Sequence, residues 1–373
     1  MGAPRPLRPG PAPGRAGAGS PYPGGVLEEL DAPLAPLTTL RLGGPARHLV
    51  TAHTDDEVVA AVRAADAAGQ PLLVLGGGSN LVIGDAGFPG TVLRIATTGF
   101  ALDGTVLELA AGEVWADAVD RAVGAGLAGI EFLAGIPGSA GATPVQNVGA
   151  YGQEVAQTIT EVVAYDRRAD EVVTLPNAEC AFSYRHSRFK ADPERYVVLR
   201  VRFGLEDAAG LSTPVRYAEV AKHFGVAQDE RVDLRAAYAA VLGLRAGKGM
   251  VLDPADHDTW SAGSFFTNPV LGPEQYAAFL ALAAERELTA PAYPAPDGHT
   301  KTSAAWLIDR AGFGKGYGSG PATLSTKHTL ALTNRGAATT EDLLALAREI
   351  RDGVRAAFGV ELVNEPVMVG VSL

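Results

Sequence analysis

The apolar positions change rhythm several times along the chain, and each change predicts an element. Across 54–70, TDDEVVAAVRAADAAGQ, Val58, Val62 and Ala65 recur on one helical face. Thr54 is a good N-cap, the acids Asp55, Asp56 and Glu57 suit the positive end of the helix dipole, and Gly69 ends the run. The same reading predicts helices over 114–126, 234–246, 273–286, 301–311 and 340–358. Short apolar runs predict strands at 37–50 (with a Gly-Gly-Pro break), 71–75 and 81–84, and two within 91–110. Further strands are predicted at 196–203, 329–333 and 360–371. Residues 158–165 and 171–175 read as a hairpin across the polar turn DRRAD. The result is an α+β first half, a polar boundary stretch over 206–233, an α/β second half, and no repeat of solenoid period.

Two stretches follow neither period. The longer, GIPGSAGATPVQNVGAYGQE (135–154), has glycines at 135, 138, 141, 149 and 152 and prolines at 137 and 144. Glycine opens backbone angles closed to other residues, and few side chains would obstruct a ligand lying on N–H groups. Loops of this length are functional or lack order, and its flanks Ile130, Phe132, Leu133, Val145 and Val148 are too apolar for the latter. The shorter stretch, GGGSN (76–80), lies between two predicted strands. It lacks the G-x-G-x-x-G and G-K-[ST] phosphate motifs, which leaves a backbone nest for a pyrophosphate or a tight hairpin.

Composition narrows the function. The chain has 373 residues, 47% hydrophobic and 20% charged, enough apolar material for two or three domains. A net charge of −11 argues against nucleic-acid binding, and no apolar run reaches membrane-span length. The single cysteine, Cys180, excludes an internal disulfide and a thiolate metal cluster. His48, His53, His223, His257, His299 and His328 show no ligand spacing, so no metal is expected. Residues 1–25 are rich in Pro, Gly, Ala and Arg without an apolar h-region, which predicts a disordered tail rather than a signal peptide, and a cytoplasmic protein.

Three residues are chemical candidates. Arg185, in YRHSRFK, is either an anion clamp among aromatics or a strand-end salt bridge, and the frequency of surface ion pairs favours the second. Ser264, in AGSFFTNP, is a serine at a strand start or a hydroxyl in a tight, partly dry spot; with no G-x-S-x-G around it, it is not read as a hydrolase nucleophile. Glu365, in LVNEPVMVGV, is either on an exposed face, which burial statistics favour, or buried and paired.

Together these segments resemble the UDP-N-acetylenolpyruvoylglucosamine reductase family, flavoenzymes that complete UDP-N-acetylmuramic acid for bacterial cell walls. The resemblance is carried in order by LRLGGPA (40–46), VLGGGSNLV (74–82), the 135–154 loop, FSYRHSRFK (182–190), SAGSFFTNP (261–269), AAWLID (304–309) and NEP (364–366). It implies an FAD-binding domain of the vanillyl-alcohol-oxidase type, made of two α+β subdomains at 26–95 and 96–230. A smaller substrate-binding domain would occupy 231–359, with the strand in 360–373 returning near the active site.

FAD and NADPH are the implied cofactors, a UDP-sugar enolpyruvyl ether the substrate, and a monomer the expected state. The resemblance puts the flavin on Leu75, Gly76, Gly77, Gly78, Ser79, Asn80 and Leu81. In the longer loop it adds Gly135, Ile136, Pro137, Gly138, Gly141, Ala142, Gln146, Asn147, Gly149, Ala150, Tyr151 and Gly152. The family's active-site arginine, proton-donating serine and acid map to Arg185, Ser264 and Glu365, with a raised pKa expected for the acid. Substrate contacts map to Tyr184, Lys248 and Asn268. PVRYAEV (214–220) looks like the substrate-covering loop of one family type and gives Tyr217. Thr267 stands where relatives are often basic. Another flavoenzyme of the same fold, or a non-catalytic nucleotide-sugar binder, are the competing readings; GSFFTNP, NEP and the retention of Arg185, Ser264 and Glu365 argue against them.

Overall fold

The first helix forms as its capping signals require: α1 spans Asp55–Ala67, and the Thr54 hydroxyl accepts from the Glu57 N–H at 3.2 Å. A cap of this kind is worth about 1 kcal/mol. Its buried face, including Val58, Val62 and Ala65, packs against a four-stranded sheet. That sheet runs β1 (Leu27–Pro33), β2 (Pro45–Ala52), β5 (Phe88–Ile95), β3 (Leu72–Leu75) in spatial order. β1 is antiparallel to β2, whereas β2 and β3 are both parallel to β5. The computed structural model describes residues 26–373, so the tail expected at 1–25 lies outside the described residues.

A second, antiparallel sheet has the order Glu171–Pro176, Ile159–Asp166, Tyr196–Gly204, β7 (Val106–Ala110), β6 (Phe100–Asp103). The hairpin expected across DRRAD is present, with Val162 opposite Leu175 and Asp166 opposite Glu171. Helix α2 (Trp115–Gly124) covers this sheet, and its fully buried Trp115 meets Phe203 with ring centroids 5.6 Å apart. One hydrophobic core runs through β2, α1, both sheets, α2 and the helix Leu234–Gly247. A separate core joins Leu40, Leu42 and Val82 to Phe265, Phe266, Leu307, Ile308 and the long helix Thr340–Phe358. That helix is docked onto the first unit by Asp85, whose carboxylate accepts from the Thr340 and Glu341 N–H groups at 2.8 and 3.2 Å. No helix among the described residues is long and apolar enough to cross a membrane.

Several expected elements differ from those observed. The strand foreseen over 37–50 starts only at Pro45, because Arg41 and Gly43 have φ of +55° and +122° and turn the chain. The run 91–110 carries three strands, not two. Residues 75–83 form no hairpin: β3 pairs with β5, while β4 (Leu81–Ile83) pairs in parallel with Val367–Val369 from the far end of the chain. The helix foreseen from 301 starts at Ala304, because the Ser303 hydroxyl accepts from the Trp306 N–H and caps it there. Thr300–Lys301 joins a small sheet instead. The final strand shrinks to Val367–Val369, since Pro366 has no N–H to donate to a ladder.

Candidate active site

The two glycine-rich loops, some sixty residues apart, are packed against each other. A Cβ built on Gly77 would stand 2.5 Å from the Gly138 Cα, and one on Gly76 would collide with the Ser139 hydroxyl. One on Gly78 would collide with the Leu37 carbonyl. The Asn80 side chain donates to Gln146 at 3.0 Å and closes the seam. Among the described residues, the N–H groups of Gly77, Gly78 and Ser79 donate to no protein acceptor. Free donors in a groove that no Cβ could enter match the needs of a pyrophosphate, so this surface fits FAD.

The longer loop departs from the expectation of free donors. Its N–H groups at Ala140, Gly141, Ala142, Thr143, Val145, Asn147 and Val148 all donate to backbone carbonyls. The loop is hung on the 111–113 segment through Ala140 and Gly141 and otherwise closes on itself: a 3-10 turn at Ala140–Ala142, then Gly149–Ala150 pairing with Gln153–Glu154. Asn147 and Tyr151 both hold φ of +49°, conformations that cost energy in non-glycine residues and collect at sites of function. Asn147 fastens the loop, donating to Glu154 at 2.8 Å and to the Ser183 carbonyl at 3.1 Å.

That last bond leads to the first cluster of chemical groups. Residues 183–186 form a tight turn in which Arg185 has φ of +53°. The Arg185 guanidinium donates to the Gly149 carbonyl at 3.2 Å, and its Nε lies 3.0 Å from Glu365. The Glu365 side chain is 11% exposed, so the exposed reading is corrected: this acid is buried and paired. Burial pushes its carboxyl above the usual carboxylate range, with Arg185 and then Lys190 opposing the shift. The salt-bridge reading of Arg185 holds in form, but its partner is this buried acid and not a surface group.

Ser264 reaches the same place through the backbone. The Glu365 N–H donates to the Phe265 carbonyl at 2.9 Å, and Phe266 bridges Asn364. The serine therefore precedes the very residue that holds Glu365. Its hydroxyl has no hydrogen-bond partner among the described residues, which leaves its proton free for a ligand. Tyr184, half-exposed, carries Arg185 and Lys301 over its ring at 5.6 and 4.8 Å, and its phenol lies beside Asn268. Thr267 is turned away: both its N–H and its hydroxyl donate to the Val363 carbonyl.

A second cluster lies beyond Gly149 on the same loop. Tyr151 and Tyr217 meet edge to face with centroids 5.2 Å apart, and the Lys248 ammonium sits 5.4 Å over the Tyr151 ring. Lys248 also pairs with Glu219 at 2.6 Å. Arg245, one helical turn earlier, was missed in the sequence although its spacing from Lys248 pointed to it. Its buried Nε has no acceptor, it lies against Gly135, and burial lowers its pKa to about 10. His328 was missed too: burial, then Lys248, Lys315 and Arg245, lower it to about 4. Two cations, Lys248 and Arg245, beside two tyrosines, with Glu219 as the one carboxylate paired to Lys248, give this end the donors an anion needs.

The sequence matches two family models: "FAD binding domain" over residues 46–174, and "UDP-N-acetylenolpyruvoylglucosamine reductase, C-terminal domain" over 253–369. The chain is 75% identical to the UDP-N-acetylenolpyruvoylglucosamine reductase of Streptomyces avermitilis, across 93% of this chain and 96% of that one. It is 72% identical to the protein of the same name from Streptomyces coelicolor, across 93% and 92%. Among solved structures, UDP-N-acetylenolpyruvylglucosamine reductase from Thermus caldophilus superposes with a TM-score of 0.63 at 27% identity, covering 92% of this chain and 98% of that one.

Proposed function

The chain belongs to the UDP-N-acetylenolpyruvoylglucosamine reductase family, and from this we infer that its site reduces the enolpyruvyl ether of UDP-N-acetylglucosamine to UDP-N-acetylmuramate. Bound FAD, once reduced by NADPH, supplies the hydride for the methylene carbon of the substrate. The observation that carries the reading is the Arg185–Glu365 pair, its acid buried, held one residue from an unpartnered serine hydroxyl.

Hydride arriving at the methylene carbon drives negative charge toward the substrate carboxylate. Arg185, fixed by Gly149 and Glu365, offers a cation to that charge. Glu365 can stay protonated near it, because burial favours its neutral form. The Ser264 hydroxyl gives its proton to the other alkene carbon, so a hydride and a proton add across one double bond. A serine is a weak acid in water, and fixed geometry has to offset this. Tyr217 and Lys248 at the aromatic and cationic end, with Tyr184 and Asn268 beside Arg185, take the sugar nucleotide, and the loops 75–81 and 135–152 hold FAD.

In this reading 26–95 and 96–230 form the flavin-binding domain and 231–359 the substrate domain, whose first helix Leu234–Gly247 packs into the flavin-domain core, with 360–373 returning Glu365 to the site. The protein acts as a cytoplasmic monomer. Purified protein should be yellow with flavin bands, and beyond the one equivalent that reduces the flavin it should turn over NADPH only when the enolpyruvyl sugar nucleotide is added. A colourless protein, or one oxidising NADPH at the same rate without that substrate, overturns the reading.

A further inference from the structure

Glu131 lies outside every motif discussed so far. It is fully buried and makes no ion pair among the described residues. Donors on three other residues hold it. One carboxylate oxygen accepts from the Thr213 N–H at 2.5 Å and from the Thr213 hydroxyl at 2.7 Å. The other accepts from the Gly129 N–H at 2.6 Å and from the Gln153 amide at 3.4 Å. Gln153 completes the ring: it donates to the Thr213 hydroxyl at 3.2 Å and accepts from the Phe132 N–H at 2.9 Å. Burying a carboxylate without a cation costs several kcal/mol unless its lone pairs are filled, as they are here.

The places those donors come from give the arrangement its meaning. Gln153 is two residues after Tyr151, and Thr213 is four residues before Tyr217. Between them the two segments run in contact, for a Cβ on Gly152 would stand 3.0 Å from the Arg216 Cβ. The segment after Thr213 has other ties, Val215 to Glu230 and Gln228 to Arg216, but these hold it to its own neighbourhood. Glu131 accepts from both Thr213 and Gln153, and so reinforces the direct Gln153–Thr213 bond that ties this segment to the 149–154 hairpin.

We propose that Glu131 is a positioning residue: its buried carboxylate sets Tyr151 and Tyr217 in register and thereby governs affinity for the sugar nucleotide. The proposal rests on the reading above that Tyr217 contacts that substrate. Replacing Glu131 by Gln keeps the shape but puts a donor where an acceptor is needed. The Thr213 pair or the Gly129 N–H then loses its partner, and the Tyr217 segment loosens while the two glycine-rich loops keep their own seam.

The test uses Glu131→Gln, Tyr217→Phe and the double variant as FAD-loaded proteins. The readouts are flavin absorbance per protein, the rate of flavin reduction by NADPH after rapid mixing, and KM and kcat with the enolpyruvyl sugar nucleotide. Glu131→Gln should keep its flavin and its reduction rate, raise KM about tenfold and change kcat by less than about threefold. Once Tyr217→Phe is in place, adding Glu131→Gln should change KM by less than about twofold, since both act through one contact. Effects that multiply in the double variant, or a loss of flavin or kcat at unchanged KM, overturn the proposal. If Tyr217→Phe alone leaves KM unchanged, it is the Tyr217 assignment that falls. Should Glu131→Gln fail to fold, Thr213→Val removes the hydroxyl alone and must raise KM in the same pattern, less strongly; an unchanged KM there overturns the proposal.

Discussion

At the Arg185 end of the site, Glu365 is buried and its backbone is fixed: its N–H bonds the Phe265 carbonyl, while Arg185 bonds the Gly149 carbonyl and lies in an ion pair 3.0 Å from Glu365. At the Tyr217 end the ring of Tyr217 and the Lys248–Glu219 pair are partly exposed, and they touch through an edge-to-face ring contact and a salt bridge about a third exposed on each side. The contrast follows from what each end must do. Moving a proton to carbon needs atoms fixed within a fraction of an ångström. Gripping and releasing a large anion needs charge and give, and exposed ion pairs are weak enough to rearrange around a ligand. Both ends border one hairpin, Gly149–Ala150 with Gln153–Glu154, so the longer glycine-rich loop links them.

The largest effect should come from breaking the seam between the two glycine-rich loops. Gly77→Val would drive a branched side chain into Gly138, and no flexible group is there to yield. The purified variant should be colourless or weakly folded, and a fully yellow Gly77→Val protein would show that the two loops do not hold the flavin. Next in size is a change confined to the rigid end. Ser264→Ala should leave flavin reduction by NADPH near normal and slow reoxidation by the enolpyruvyl substrate about a hundredfold or more. Ser264→Cys should recover part of the rate. If rapid-mixing absorbance shows Ser264→Ala reoxidising as fast as the parent, another group supplies the proton.

A change confined to the softer end should be milder. Tyr217→Phe removes one phenol from a half-exposed ring, so KM should rise about fivefold to tenfold while flavin occupancy stays intact. A drop in flavin occupancy with KM untouched would move Tyr217 out of the substrate site and abolish the contrast drawn here.

How much of this could be read from the chain differs between the same two regions. The helix over 340–358 was legible to the residue, because Thr339 and Asp342 form a reciprocal cap and Gly359, at φ of +67°, ends it. Those are local signals. The glycine-rich loops could be located but their contact could not, since nothing in GGGSN says it will meet GIPGSAG. Glu365 was misjudged from its neighbours alone: most acids in such runs face water, and the partner that buries it lies 180 residues upstream at Arg185. Glu131 gave no signal, because an acid between Ile130 and Phe132 reads as any polar break, and its main partner Thr213 is 82 residues away. Arg185, Ser264 and Glu365 were picked out through the family resemblance, and local physics left each of them ambiguous.

The smallest effect near neutrality, and the one that separates the two ends most cleanly, is in their response to pH. Glu365 has its carboxyl raised by burial, so the folded state favours its protonated form. Its contribution to stability is present below the unfolded carboxylate value and is lost as pH rises through the folded one. His328 is the reverse. Burial among cations lowers it to about 4, so it is neutral when folded, and between about pH 6.5 and 4 the unfolded chain takes a proton that the folded chain refuses. Stability is therefore lost at the anchoring end as pH falls through that window. His328→Gln should leave the melting temperature near neutrality almost unchanged and flatten its decline between pH 6.5 and 4. Glu365→Gln removes a desolvated acid and should be neutral or slightly stabilising at pH 7.5, although it would strip Arg185 of its partner and cost activity. Thermal melts of both variants and the parent across pH 4 to 8 read the two signs together. A His328→Gln curve parallel to the parent would mean that the imidazole is already protonated or solvated in the fold, and that the anchoring end is less dry than the buried Arg245 Nε without an acceptor indicates.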